Sequence, residues 1–162
     1  MSVILKLAQN DKKNDYYIFG GSKNQIMDLK KKYILKNLYI EPHQNIKKVK
    51  YKMKEMDILL MPYSNKVTVS GNVSDTTNYM SPLKLFDYMS TGRLILSSNL
   101  NVLKEVVNEN QCIFINNYLN PFSWLLEIKK IEKNILKRNI IGKNSYINSK
   151  KFSHNSRVLK YI

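Results

Sequence analysis

Five short apolar runs alternate with segments whose apolar residues recur every three or four positions, and this alternation leaves few folds open. Tyr16 to Phe19, Leu38 to Ile40, Asp57 to Pro62, Leu94 to Ser97 and Cys112 to Ile115 are too short for helices and rich in β-formers, so they read as strands. Between them, Ile26, Leu29 and Tyr33 mark a helix over 22–35, and Val49, Met53 and Met56 one over 46–56. Further helices are expected over 2–9, 81–91, 101–107, 121–137 and 153–162. Strands that are apolar throughout and separated by helices form a parallel sheet covered on both faces. The expected class is therefore α/β, Rossmann-like, in one domain spanning the 162 residues. In such sheets ligands bind beyond the carboxyl ends of the strands. That rule points to Gly20-Gly21, to the stretch from Pro62 to Ser81, and to Ser97-Ser98.

The net charge of +15 raises the question of an anionic partner. Of the 27 basic residues, 24 are Lys and only 3 are Arg. Readers of bases and phosphates favour the planar, two-donor Arg fork, so the excess of Lys argues for solvated faces and against a nucleic-acid surface. The abundance of Lys, Asn, Ile and Tyr together also fits an A/T-rich coding sequence. Lys47, Lys48, Lys50, Lys52 and Lys54 alternate with apolar residues on an expected helix. They read either as a solubilising face or as a peripheral contact with anionic lipid.

Other chemistry is scarce. Cys112 has no second cysteine to pair with and reads as a small core residue. Two His and one Cys, far apart, give no metal-ligand spacing. No apolar run reaches the roughly 18 residues of a membrane span, and the first residues do not read as a signal peptide. A cytoplasmic setting is expected. His43 reads as a solvated loop residue, His154 and Trp124 as structural, and Tyr63 and Ser64 either as cleft lining or as a plain turn.

Residues 81–98, SPLKLFDYMSTGRLILSS, carry the chemistry. Ser81 suits a helix N-cap, Pro82 the first helical position and Gly92 the residue just past the end. The N–H groups of Leu83 and Lys84 are free at such a start, and with the helix dipole they form an anion site. Lys84 is unfavourable in the first turn of an isolated helix and makes better sense beside a diphosphate. Asp87, three residues on, shares a face with Lys84 and is placed to accept from paired sugar hydroxyls. Local physics alone leaves a plainer alternative, a well-capped helix with a Lys84–Asp87 surface pair.

The segment 81–98 resembles the signature of family-4 glycosyltransferases of GT-B architecture. The resemblance extends in order along the chain: ILKLAQN and YYIFGGS, then MDILLMPYS, LNVLKEVV and KFSHNSRVLKYI are each similar to successive family segments. It implies a C-terminal, nucleotide-sugar-binding domain that transfers a sugar, with retention, from a nucleotide-diphosphate donor to a glycan or lipid-linked acceptor. It places Ser81, Leu83 and Lys84 at the diphosphate, with Pro82 in the same donor-binding turn, Asp87 at the ribose, and Gly20 and Gly21 at the nucleotide backbone approach; Ser64, just after a strand end, is added as a candidate donor-cleft residue. No metal and no cofactor beyond the donor substrate is implied, because N–H groups and basic side chains stabilise the leaving diphosphate.

Departures are specific. Asp87 stands where the family usually has the longer Glu, and Leu94 where it usually has Pro. Tyr79 stands where a second Glu is common, with Asp75 a weak substitute. The N-terminal acceptor domain and the first strand have no counterpart in the sequence, so no catalytic residue is assigned and a separately encoded N-terminal half is an expected partner. Three readings stay open: a donor domain, an inactive relic or split-enzyme subunit of the same fold, and a basic nucleic-acid-binding α/β protein.

Overall fold

Each strand of the computed structural model is short, parallel to its neighbours and followed by a helix. The structure describes residues 2–63 and 83–152. Ser64, Ser81, Pro82, the loop that contains Asp75 and Tyr79, His154 and the expected closing helix lie outside the described residues. The order is α1 (Ser2–Asn10), β1 (Tyr16–Phe19), α2 (Lys23–Lys32), β2 (Leu38–Glu41), α3 (Ile46–Glu55), β3 (Ile58–Met61), α4 (Leu83–Met89), β4 (Leu94–Ser98), α5 (Asn101–Lys104), β5 (Ile113–Ile115), α6 (Pro121–Glu132) and α7 (Ile135–Ser149), closed by a 3-10 turn over Lys150–Phe152. β1 and β2 form one parallel pair, with Tyr16 opposite Leu38 and Phe19 opposite Glu41. β3, β4 and β5 form a second parallel sheet in that order.

Alternation along β4 divides the core into two layers. Leu94 and Leu96 join Val3, Leu7, Ala8, Tyr16, Trp124, Ile128 and Ile141, the buried faces of α1, α6 and α7. Ile95 joins Leu85, Met89, Leu103, Val107 and Cys112 on the α4 and α5 side. Helices therefore cover both faces, as the apolar strands require. Leu38, Ile58 and Leu60 pack on the first layer beside Tyr16, so both sheets rest on one core. Trp124 is fully buried and its indole N–H donates to the Tyr118 carbonyl at 2.9 Å. Truncating such a residue costs about 3–5 kcal/mol.

Local chemistry sets the element ends. Ser22 and Gln25 form a reciprocal capping box at the start of α2. Asn120 accepts from Phe122 N–H and Pro121 opens α6. The helix expected over 121–137 is in fact two: α6 stops at Glu132, and Asn134 caps a new helix by accepting from Lys137 N–H. α7 has no counterpart in the sequence reading, because part of its buried face is Gly142, Ser145 and Asn148, which give no apolar stripe. The helix expected over 81–91 is described from Leu83 to Met89, and that over 101–107 shrinks to a single turn.

The α1–β1 turn holds a polar knot. Asp11 accepts from Lys13 N–H at 3.0 Å, from the Asn14 amide at 2.8 Å and from the Tyr16 hydroxyl at 2.8 Å. Asn37, just before β2, donates to the carbonyls of Ala8, Asp11 and Asn14. Both residues are buried. The knot fixes where β1 starts and docks β2 beside it.

Candidate functional site

The carboxyl end of β1 runs into Gly20 and Gly21, with φ of 118° and 96°. These conformations favour glycine, and a side chain on either would be strained. A Cβ on Gly20 would meet nothing within 4 Å, whereas one on Gly21 would touch Gln25. Gly20 N–H donates to Glu41 O at 3.0 Å, which keeps the turn in line with the sheet. Gly20 thus borders open space, as a backbone approach to a ligand requires.

The ends of β3 and β4 are tied together. Tyr63 N–H donates to Ser98 Oγ at 2.9 Å, and Ser98 Oγ donates back to Tyr63 O at 3.3 Å. Ser97 Oγ contacts Met61 O at 3.4 Å. Both serines are fully buried. The pointer to Ser97-Ser98 as a ligand-facing pair is therefore corrected: their hydroxyls are spent on the β3–Tyr63 backbone and brace the strand ends.

α4 presents Leu83 and Lys84 to solvent, with Leu83 70% exposed. Lys84 Nζ lies 5.2 Å from the centroid of the Tyr88 ring, a cation–π arrangement that holds the ammonium on the helix side facing β3. Tyr88 in turn donates to Leu60 O at 3.5 Å. Asp87 does not pair with Lys84. Its carboxylate meets Lys50 Nζ of α3 at 3.1 Å and remains half-exposed. Lys50 is the residue the sequence reading did not single out here, and its only signal was a place in the lysine row of α3. Lys52 of that row pairs with Glu55 at 3.2 Å, so the row is partly engaged within the protein.

A cavity of about 760 Å³ lies below this end of the strands, lined by Tyr16 to Phe19 of β1, Ile58 to Leu60 of β3, and Lys84 and Tyr88. Asp87 does not line it. His43 is exposed on the loop after β2. Cys112 is buried, and burial pushes its thiol up to about 12. Among the described residues, no group of three or more His, Cys, Asp or Glu side chains is placed to hold a metal ion. Among them too, no helix is long and apolar enough to cross a membrane.

These two parallel sheets on one core, with helices on both faces, a glycine turn after β1 and a basic helix start after β3, define a Rossmann-like α/β domain. No protein-family model matches the chain, and no curated protein matches it in sequence. Solved structures do match in fold. The chain superposes on Anabaena HepE in complex with UDP and glucose with a TM-score of 0.68 at 12% identity, covering 99% of this chain and 43% of that one. For HepE in complex with UDP-glucose the TM-score is 0.66 at 13% identity, over 100% and 45%. For TarM it is 0.67 at 15% identity, over 99% and 30%. The likeness is one of fold. The chain spans less than half the length of these proteins.

Proposed function

We propose that this chain is the nucleotide-sugar-binding domain of a family-4-type, retaining glycosyltransferase that moves a sugar from a nucleotide-diphosphate donor to a glycan or lipid-linked acceptor. The observation that carries this reading is the superposition of essentially the whole chain on part of HepE, a protein crystallised with UDP-glucose. Gly20, at a strand end beside open space, and Lys84, at the exposed start of α4, stand where an α/β sheet takes its ligands. In this reading Lys84 and the free N–H groups around Leu83 meet the diphosphate, and their positive potential stabilises it as a leaving group without a metal. Asp87 takes the ribose hydroxyls once it exchanges Lys50 for the ligand. No catalytic residue is assigned in this reading, and the setting it implies is the cytoplasm with peripheral contact to an anionic membrane.

One observation favours a second reading, an inactive nucleotide-sugar-binding relic or split-enzyme subunit: the Asp87 carboxylate is already paired with Lys50. Calorimetry with UDP, GDP and a short DNA duplex at two salt concentrations tests both. Saturable binding of a nucleoside diphosphate supports the domain assignment, and sugar transfer on adding a complementary half separates enzyme from relic. Binding to the duplex alone, with a steep salt slope, overturns the assignment in favour of a nucleic-acid-binding protein.

A further inference from the structure

α7 is inside out for a helix of a globular domain. Its buried face holds Ile141, Gly142, Ser145 and Asn148, while larger aliphatic residues point the other way. Leu136 is 76% exposed, Ile140 58% and Ile147 50%. The helical period brings these three and Lys143 within about 60° of one another, opposite the buried set. They run along about 17 Å of the helix, so they form a stripe rather than scattered exposed residues. The charge around the stripe has one sign. α7 carries Lys137, Arg138 and Lys143 and no acidic residue. The sequence after Glu132 has eight Lys or Arg and no Asp or Glu. Arg138 turns to Asp57 at 3.1 Å, but among the described residues neither Lys137 nor Lys143 has an ion-pair partner, and both are exposed. The lysine row of α3 differs, because Asp87 holds Lys50 and Glu55 holds Lys52.

We propose that this outward face of α7 lies on an anionic lipid surface, with Leu136, Ile140 and Ile147 in the apolar layer and Lys137 and Lys143 at the headgroups. A helix lying in that interface sinks its aliphatic residues about 5–10 Å into the boundary between headgroups and acyl chains. Lysines beside them lay their stems along the apolar stripe and keep the ammonium at the phosphates. Charge complementarity and the place of Lys143 select this occupant. Lys143 sits in the middle of the stripe, whereas the cores of protein interfaces are depleted in Lys. A second copy packed stripe on stripe would bring the lysines of both copies together, and like charges oppose that. Nucleic acid would answer the lysines and leave the three aliphatic side chains in water. The inference rests on the peripheral membrane contact of the proposed function and assigns it to α7 instead of the α3 row; it does not depend on nucleotide binding.

Co-sedimentation of the whole chain with vesicles tests it, using phosphatidylcholine alone or mixed with phosphatidylglycerol. Binding is expected to the mixed vesicles and to weaken with salt. Leu136→Glu and Ile140→Glu are each expected to lower the partition coefficient about tenfold or more, and Lys143→Ala about fivefold. Tyr51→Glu makes the same change of charge at an exposed residue within the α3 row and is expected to cost less than about threefold. Equal losses in Tyr51→Glu and Leu136→Glu overturn the assignment to α7 and leave a membrane contact standing. No binding of the parent chain to either vesicle overturns the contact as well, and the donor-site reading is then decided by its own calorimetry. Self-association that Leu136→Glu abolishes, without vesicle binding, overturns the proposal in favour of a second copy. If the glutamate variants do not fold, Ile140→Trp gives a second readout. Trp124 is fully buried, so a change in emission on adding mixed vesicles reports position 140. A blue shift with quenching by lipids brominated in the acyl chain is expected, and unchanged emission overturns the proposal.

Discussion

Gly142 of α7 lies so close to Gly92 that a Cβ on Gly142 would sit 2.3 Å from the Gly92 carbonyl oxygen. Gly92 itself, at φ 71°, ends the stretch between α4 and β4. The missing side chain is what lets α7 lie against the entry to the most buried strand of the sheet. An alanine would ordinarily favour a helix interior by about 1 kcal/mol over glycine. Here backbone must move instead, so Gly142→Ala is expected to destabilise the fold by about 1–3 kcal/mol. Thermal unfolding followed by circular dichroism checks this; an unchanged or higher Tm would contradict the packing described.

The Asp11 knot predicts a pH dependence of stability. Burial alone would raise the Asp11 carboxyl, but hydrogen bonds from Asn14, Tyr16 and the Lys13 backbone outweigh it and hold the group below its ordinary value. Glu132 is likewise held low, first by its bond from Lys13. A depressed folded-state pKa contributes stability that is fully present above the unfolded value near 4 and lost as pH falls through the folded one. Denaturant midpoints are therefore expected to drop on acidification below about pH 4. In Asp11→Ala the buried Tyr16 hydroxyl loses its acceptor, which costs about 1–3 kcal/mol at neutral pH. The same variant is expected to show a shallower loss with acid.

The proposed donor site predicts an ordered set of nucleotide affinities. Lys84→Ala removes the cation at the start of α4 and is expected to weaken UDP binding about tenfold or more, the worth of a hydrogen bond to a charged group. Asp87→Ala is expected to weaken it by a similar factor. Lys50→Ala frees the Asp87 carboxylate and is expected to leave affinity unchanged or improve it, because an exposed ion pair contributes at most about 1 kcal/mol to the fold. Isothermal calorimetry reads all three. A loss of affinity in Lys50→Ala equal to that in Asp87→Ala would mean that the pair acts as a unit.

Cys112 is expected to resist thiol reagents in the folded protein. Its sulfur is buried against Ile95 O at 3.4 Å and its thiol is pushed up by burial, so little thiolate is exposed to react. Labelling with a maleimide should proceed at the rate of unfolding, and fast labelling at neutral pH would contradict the α4–α5 core packing.

Strand positions were readable because a strand covered on both faces must be largely apolar, as β1, β3 and the Leu94–Leu96 part of β4 are. Gly20 and Gly21 were readable because a pair of glycines after a strand marks a turn of positive φ. The division of 121–149 into α6 and α7 was not, because Asn134 resembles any polar surface residue until its side chain is seen to accept from Lys137. α7 was missed for a related reason. Its place rests on Gly142 against backbone, and on Asn148 donating to Val106 O at 2.9 Å, neither of which leaves an apolar period. Within the site, Lys84 and Asp87 were legible as a helical pair, but their partners were not: Tyr88 takes one and Lys50 the other.

The sequence by itself determined the alternation of strand and helix, the apolar faces and the glycine turns, because each follows from the spacing of a few adjacent residues. Only the tertiary structure decided that Asp87 answers to Lys50, that Ser98 braces Tyr63, and that the strands divide into two sheets, β1-β2 and β3-β4-β5. The two side-chain relations join residues 35 or more positions apart, and contact at such distances is set by how whole elements pack, which no local pattern records.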